Sequence, residues 1–524
     1  MSDAASVAAG DDAIRIVVRP RRRPPRPALL AAVTVLSGGA WAAAALAVLV
    51  RIGSIEHPAV AAAALGVGAV ALVPLGLAYW RSDGAALADP LVLAGWVFWF
   101  PMFCLGGVSL ALGWFRPYYL DLVADPSAAL LAAQLWALVG FGALALGTAL
   151  PGLVRAGSWL AGRLPAGDWP PGRTLAPAAV LTVAGLGVSA VALLTGQVGY
   201  EAATRQEVSP LPAYVQTIAV VGVALVWVDL LRRASPSRRR VVATCAVLGG
   251  VALVSTGLAE SRAMLATWVL VLVLVAAVVR APIPRRVAAG VLLAAGCALA
   301  VGAVVGSTYR EQRAGLTDGA GTAPSASTAG RGEDLVAALR RTVERGPDNA
   351  AYLRDRAVQR LEAPGTLAVI AARAEELDGV DEAAGAPTVV SSTIGAFVPR
   401  LVWPSKPATG DPGAISRLYF AFEDNAFAVT PMGDLLRDLG PVAVPVGMAL
   451  VGIVLRLVHT ALVRAPDAGA GRVAAYVTLL ARAPSWFEGP YGNVLADLVR
   501  VGLVVAVALA FVHLWVRLAE RRAG

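Results

Sequence analysis

Residues 28–50, ALLAAVTVLSGGAWAAAALAVLV, set the class of this protein because they contain no charged side chain. A helix needs about 20 consecutive apolar residues to cross the hydrocarbon core of a bilayer, and this stretch is long enough. A basic segment that includes Arg19 and Arg26 precedes it, and no small-residue cleavage site is evident after it. We therefore interpret residues 28–50 as a first transmembrane helix and not as a secretory signal.

The composition extends this interpretation to the whole chain. Of the 524 residues, 57% are hydrophobic and 15% are charged, and the mean hydropathy is +0.69. Soluble domains are about half apolar and about a quarter charged. The sequence predicts an all-α, polytopic membrane protein of about 12 transmembrane helices. We place the spans at 28–50, 58–80, 90–113, 128–153, 174–196, 211–231, 241–259, 263–280, 287–307, 438–463, 472–487 and 495–516.

The distribution of arginine predicts the orientation. With the N-terminal tail in the cytoplasm, the cytoplasmic segments are rich in arginine, as cytoplasmic loops usually are. The short loops on the other side contain only Arg51, Arg116, Arg205 and Arg262. We expect a protein of the inner (cytoplasmic) membrane with both termini in the cytoplasm.

This orientation defines the domain organisation. A basic cytoplasmic tail (1–27) is followed by spans 1–9 (28–307), a large extracytoplasmic loop (308–437), spans 10–12 (438–516) and a second cytoplasmic tail (517–524). The loop is expected to be partly helical, because 333–345 and 350–375 have helical patterns. The stretch 314–332 is rich in Gly, Ala, Ser and Thr and is expected to lack a fixed structure.

Several kinds of chemistry are excluded by missing motifs. There is no Walker loop, His-Glu-x-x-His or Gly-x-Ser-x-Gly sequence. Cys104, Cys245 and Cys297 lie inside apolar runs and have no metal-ligand spacing. We expect no metal, no cofactor and no nucleic-acid partner, and the bilayer accounts for the basic charge.

A set of cations and a few carboxylates lies at the predicted outer face. The rigid segment 398–407, VPRLVWPSKP, carries Arg400 and the only lysine of the chain, Lys406. A guanidinium group binds phosphate oxygens with two donors, so such cations suit an anionic head group. The candidate pyrophosphate-binding residues are Arg262, Arg310, Arg313, Arg356, Arg360, Arg400 and Lys406.

Carboxylates at the same face are candidates for a general base. Asp434 is our first choice, followed by Glu260 and Glu311. A cavity with these groups would suit a substrate that carries a lipid pyrophosphate. The cations would stabilise the departing pyrophosphate, and a carboxylate would accept the proton of an attacking sugar hydroxyl.

Four stretches resemble the Wzy-type, O-antigen polymerase-like family of polysaccharide repeat-unit polymerases. PRLVWPSKP at 399–407 resembles the family stretch PR-x-x-W-P-x-K-P, and Ser261-Arg262 resembles its S-R-G turn, with Ala263 in place of Gly. The loop helix with Arg356 and Arg360 resembles the upstream arginine region. PMGDLLRDLGPVAVPVGMALVG at 431–452 is similar to the stretch that enters a late span, although leucines replace its usual aromatics.

The resemblance covers about residues 250–455 and implies a GT-C-type membrane glycosyltransferase. Such an enzyme polymerises polyprenyl-pyrophosphate-linked oligosaccharide repeat units at the outer face, without metal or nucleotide sugar, alongside other envelope polysaccharide assembly proteins. An O-antigen ligase-like transferase, a transferase that uses a polyprenyl-phosphate sugar, and a flippase or transporter for lipid-linked glycans are alternatives. A transporter would favour inverted repeats, which the sequence does not show.

Overall fold

The computed structural model is helical throughout most of the part of the chain that it describes. The described residues are 27–194, 216–233, 262–280, 358–361, 363–377, 388–398, 412–422, 427–464 and 468–523, with short pieces such as 247–251 and 340–344 between them. Their principal helices are α1 (Ala28–Val50), α2 (Pro58–Arg81), α3 (Pro90–Ala111), α4 (Pro126–Ala149), α5 (Leu153–Arg163), α6 (Leu175–Leu194), α7 (Thr217–Arg232), α8 (Arg262–Val278), α9 (Ala363–Arg373), α10 (Val389–Phe397), α11 (Pro412–Phe420), α12 (Pro431–Leu439), α13 (Ala443–Leu462), α14 (Ala470–Leu480), α15 (Ala483–Glu488) and α16 (Tyr491–Ala523).

Within these described ranges, seven helices are long and apolar enough to cross a membrane. They are α1, α2, α3, α4, α6, α13 and α16, and each coincides with a span expected from the sequence. The chain is therefore an all-helical, membrane-embedded protein. The expected total of about 12 spans is not confirmed. Most of 241–259 and all of 287–307 lie outside the described residues, and α7 and α8, with 16 and 17 residues, are not among the seven.

The expected span at 472–487 is divided in the structure. The 11 residues of α14 end at Leu480, and the 6 residues of α15 begin at Ala483. The 11 residues of α14 rise about 16 Å, which is roughly half the hydrocarbon thickness of a bilayer. Pro484 lies in the first turn of α15, a position where proline starts a helix but cannot continue one. The segment is thus two short helices and not one continuous span.

Helix α13 packs against both α4 and α5. A Cβ atom on Gly452 would overlap the carbonyl oxygen of Leu144, and one on Gly147 would overlap that of Ala449. The two helix backbones can approach this closely only because both positions lack a side chain. Small residues commonly have this role between transmembrane helices.

Hydrogen bonds connect the loops at one end of the bundle, which we call the arginine-rich end. Arg472 donates to the carbonyl oxygens of Ala161 and Leu164 (2.7 and 2.6 Å), and Arg232 donates to that of Ala468. These are loops that the arginine distribution assigns to one side of the membrane. At the opposite end, Arg116 and Asp121 pair within one loop, with side chains 3.0 Å apart. The hydroxyl of Tyr118 in that loop donates to the carbonyl oxygen of Phe420 (3.1 Å) and so connects it to α11.

Candidate functional site

The short helix α12 forms the centre of the described part of the candidate site, at the opposite end from the arginine-rich loops. Thr430 precedes it with a φ of +57°, a conformation that is costly for a β-branched residue. The Thr430 hydroxyl accepts a hydrogen bond from the Gly433 amide (3.2 Å), and the Thr430 amide donates to the Glu488 carbonyl oxygen (3.3 Å). These contacts hold the strained residue and attach the start of α12 to the end of α15.

Asp434 and Arg437 form a buried ion pair on α12. Each side chain is 1% exposed. The Asp434 Oδ1 atom accepts from Arg437 Nε (3.0 Å) and Nη2 (2.8 Å), and Oδ2 accepts from the backbone amide of Tyr491 (2.8 Å). Burial raises the pKa of Asp434 above its ordinary value, whereas the charge of Arg437 and the Tyr491 amide oppose this rise. Both carboxylate oxygens are therefore occupied by structural partners.

The carboxylates of α12 bind the N-termini of two other helices. Tyr491 is the first residue of α16, so Asp434 accepts from an amide that has no partner within its own helix. Asp438 does the same for α10, because its Oδ2 accepts from the amide of Val389 (2.8 Å). The i, i+4 spacing thus lets one short helix fix α10 and α16, and negative charge is favourable at both N-termini.

A second carboxylate, Glu488, lies beside this cluster at the end of α15. Its side chain is partly buried, and burial raises the pKa of Glu488 above its ordinary value, while the charge of Arg360 lowers it. Asp497 on α16 fixes α15 from the other side, since it accepts from Trp486 Nε1 (3.2 Å) and Arg482 Nη2 (3.3 Å). Glu488 therefore stands in a well-anchored turn.

Two of the residues predicted from the sequence, Asp434 and Arg360, are placed by the structure at this site. Both residues adjoin the turn at 488–491. At one end of the turn Asp434 accepts a hydrogen bond from the Tyr491 amide, and at the other end the charge of Arg360 lowers the pKa of Glu488. Arg262 begins α8, but its side chain lies outside the described residues. Also outside the described residues are Glu260, Glu311, Arg310, Arg313, Arg356, Arg400 and Lys406.

The sequence analysis did not identify Glu488 or Arg437. Residues 488–491, Glu-Gly-Pro-Tyr, form a turn signal between two apolar segments and contain a carboxylate. That pattern could have indicated Glu488, and the i, i+3 spacing of Asp434 and Arg437 could have indicated their ion pair. Among the residues that the structure describes, no three His, Cys, Asp or Glu side chains are grouped as metal ligands.

Comparison of the chain with models of known protein families, with curated proteins and with solved structures found no match. The fold and the apolar helices define a class, namely α-helical membrane proteins. The assignment of an activity rests on the residues themselves.

Proposed function

We propose that this protein is a membrane glycosyltransferase that polymerises lipid-pyrophosphate-linked oligosaccharide repeat units at the outer face of the cytoplasmic membrane. The observation that carries the proposal is the position of a partly buried carboxylate, Glu488, in the anchored turn after α15, where the positive charge of Arg360 acts on it. Acid–base chemistry on a sugar hydroxyl needs a carboxylate whose pKa is raised toward neutrality, and burial does this for Glu488.

The reaction that fits these groups is a displacement at an anomeric carbon. An acceptor sugar hydroxyl attacks the anomeric carbon of the donor glycan, and a new glycosidic bond forms. The bond from that carbon to the pyrophosphate oxygen breaks, and the lipid pyrophosphate leaves with the electron pair. Glu488 accepts the hydroxyl proton, and Arg360 helps to neutralise the pyrophosphate.

In this proposal Asp434 positions the site and does not act as the base. Its carboxylate has a bidentate arginine and a backbone amide as partners and is 1% exposed. A group in that state is suited to holding α12 against α16. The other predicted cations, from Arg262 to Lys406, keep their assigned role of binding pyrophosphate as a prediction from the sequence.

The test is a transfer assay on the full-length protein in nanodiscs, with a polyprenyl-pyrophosphate oligosaccharide as both donor and acceptor. The proposal expects a ladder of longer glycans from the unmodified protein. Glu488→Gln should reduce the rate on the order of 100-fold or more, the usual effect of losing a general base. Arg360→Gln should reduce the rate by about tenfold, which is a smaller loss than removal of a hydrogen-bond donor from a fully enclosed site would cause.

Matched controls come from the same outer loop. Glu344 is exposed and Arg341 is also exposed, and Glu344→Gln and Arg341→Gln should keep the full rate. The rate should rise with pH through the raised pKa of Glu488, and this dependence should be missing in Glu488→Gln. Full activity of folded Glu488→Gln would refute the assignment of the base. A single transfer step would instead indicate a ligase, and movement of the lipid across the bilayer without transfer would indicate a transporter.

A further inference from the structure

A cavity of about 530 Å³ opens at the arginine-rich end of the bundle, a volume typical of sites for small molecules. It lies at the C-terminal end of α13, whereas the Asp434 cluster adjoins the N-terminal end of that helix. The proposed transfer reaction makes no use of it. We call it the arginine cavity, after the cations in its lining, which are Arg81, Arg280, Arg456 and Arg464.

Two aspartates also line the arginine cavity, and both have partners. Asp89 Oδ2 accepts from Arg456 Nη1 (3.0 Å), while Asp89 Oδ1 accepts from the Leu91 amide (3.0 Å). The Asp83 side chain accepts from the Ala85 amide (3.2 Å). Four arginines against two aspartates leave the lining with an excess of positive charge.

Three of the arginines converge on the arginine cavity from different helices. Arg81 ends α2, Arg280 follows α8, and Arg464 follows α13. All three are exposed, and none has a carboxylate partner among the described residues. A single arginine at the end of an apolar helix is explained by its favourable interaction with the helix dipole and with the interface. Three such charges around one cavity repel each other, and an anion between them would remove that repulsion.

One further feature indicates a missing acceptor. The Nε–H group of Arg456 is buried and has no hydrogen-bond partner among the described residues, although buried donors are nearly always satisfied.

Apart from His459, the remaining wall of the arginine cavity is apolar and belongs to membrane-crossing or neighbouring segments. The side chain of Leu77 is 47% exposed. Other members of this wall are Pro74, Val92, Val278 and Val463. A cationic rim beside an apolar wall matches a molecule with a phosphate head and a hydrocarbon tail.

We propose that the arginine cavity binds the phosphate head group of an anionic phospholipid, with Arg81, Arg280 and Arg464 as its cationic partners. Phosphate oxygens fit the bidentate donors of arginine. The apolar wall favours a lipid over a soluble phosphate compound, because it gives the acyl chains a surface to follow.

The experiment measures lipid binding by native mass spectrometry of the delipidated full-length protein in neutral detergent. The probes are phosphatidylglycerol, phosphatidylcholine, diacylglycerol and glycerol phosphate. The test variant is the triple change Arg81→Gln, Arg280→Gln and Arg464→Gln. Each arginine near an anionic lipid contributes about a fivefold factor in affinity, so we expect binding of phosphatidylglycerol to weaken on the order of 100-fold.

The matched control removes three exposed arginines from α16, by Arg517→Gln, Arg521→Gln and Arg522→Gln. It should change the affinity by less than about twofold, since it lowers the net charge equally but leaves the cavity intact. A triple lysine variant at the cavity positions checks folding, and it should bind within several-fold of the unmodified protein.

Equal loss in the cavity and control variants would overturn the proposal, as would binding of diacylglycerol as tight as that of phosphatidylglycerol. Tight binding of phosphatidylcholine that persists in the glutamine variant would also contradict it. If glycerol phosphate binds as tightly as phosphatidylglycerol, the lipid assignment is wrong and the cavity takes a soluble phosphate compound.

Discussion

Replacement of Arg437 by methionine tests the role of the buried ion pair in stability. The side chain stays unbranched up to the δ position but is shorter and uncharged, and it loses the two hydrogen bonds to Asp434 Oδ1 (3.0 and 2.8 Å). Asp434, which is 1% exposed, then keeps only the Tyr491 amide as a described partner. Removing one member of a buried pair costs about 3–5 kcal/mol when the other remains charged.

The loss of stability should depend on pH, and the pKa of Asp434 determines whether the loss grows or shrinks as the pH rises. Burial already raises that pKa above 3.8, and removal of Arg437 takes away two of the causes that lower it. Below the ordinary pKa the carboxyl is neutral in the folded and unfolded states, and between that value and the folded pKa of the unmodified protein both proteins lose stability equally as the pH rises. Above it the unmodified protein loses no more, whereas the variant continues to lose about 1.4 kcal/mol per pH unit up to its own higher folded pKa. We therefore expect the loss in Arg437→Met to be smaller at pH 5 than at pH 8, where it reaches about 3–5 kcal/mol.

The assay is unfolding of the full-length protein in mixed micelles, followed by helical circular dichroism and pulse proteolysis from pH 5 to pH 8. The control is Arg340→Met, because Arg340 makes a comparable but exposed contact with Glu344 (3.1 Å). It should show no resolvable change. A loss in Arg437→Met that is equal at both pH values, or below about 1 kcal/mol at pH 8, would refute the reasoning.

Two further substitutions test the packing and the strained turn. Gly452→Leu should destabilise the protein by about 1–3 kcal/mol, because any Cβ there overlaps the Leu144 carbonyl oxygen. The control Gly142→Leu on α4 should be neutral, because this glycine has open space around it. Equal unfolding midpoints of the two variants would contradict this prediction. Thr430→Ala should cost about 0.5–2 kcal/mol through the lost helix cap. Thr430→Gly should cost about 1 kcal/mol less than that, because glycine tolerates the positive φ, and an alanine variant more stable than the glycine variant would exclude strain at this residue.

Helix α12 makes contacts that could not be predicted from the sequence. The sequence alone shows that Asp434 and Asp438 have the i, i+4 spacing of one helical turn. The structure shows that Asp434 and Asp438 serve the N-termini of α16 and α10. Val389 and Tyr491 are distant in sequence from each other and from α12, so no local pattern connects these partners. The same is true of Arg360 and Glu488, which come together only in the folded chain.

The sequence alone determined the class of this protein and the positions of seven apolar helices, because hydropathy is a local property that each segment carries by itself. It also determined which loops carry the arginines. Only the tertiary structure decided that Arg81, Arg280 and Arg464 share one cavity and that both oxygens of Asp434 are occupied. Hydrophobic burial is non-directional and needs no particular partner, whereas a buried charge must find specific donors or acceptors, and helix packing determines which ones it meets.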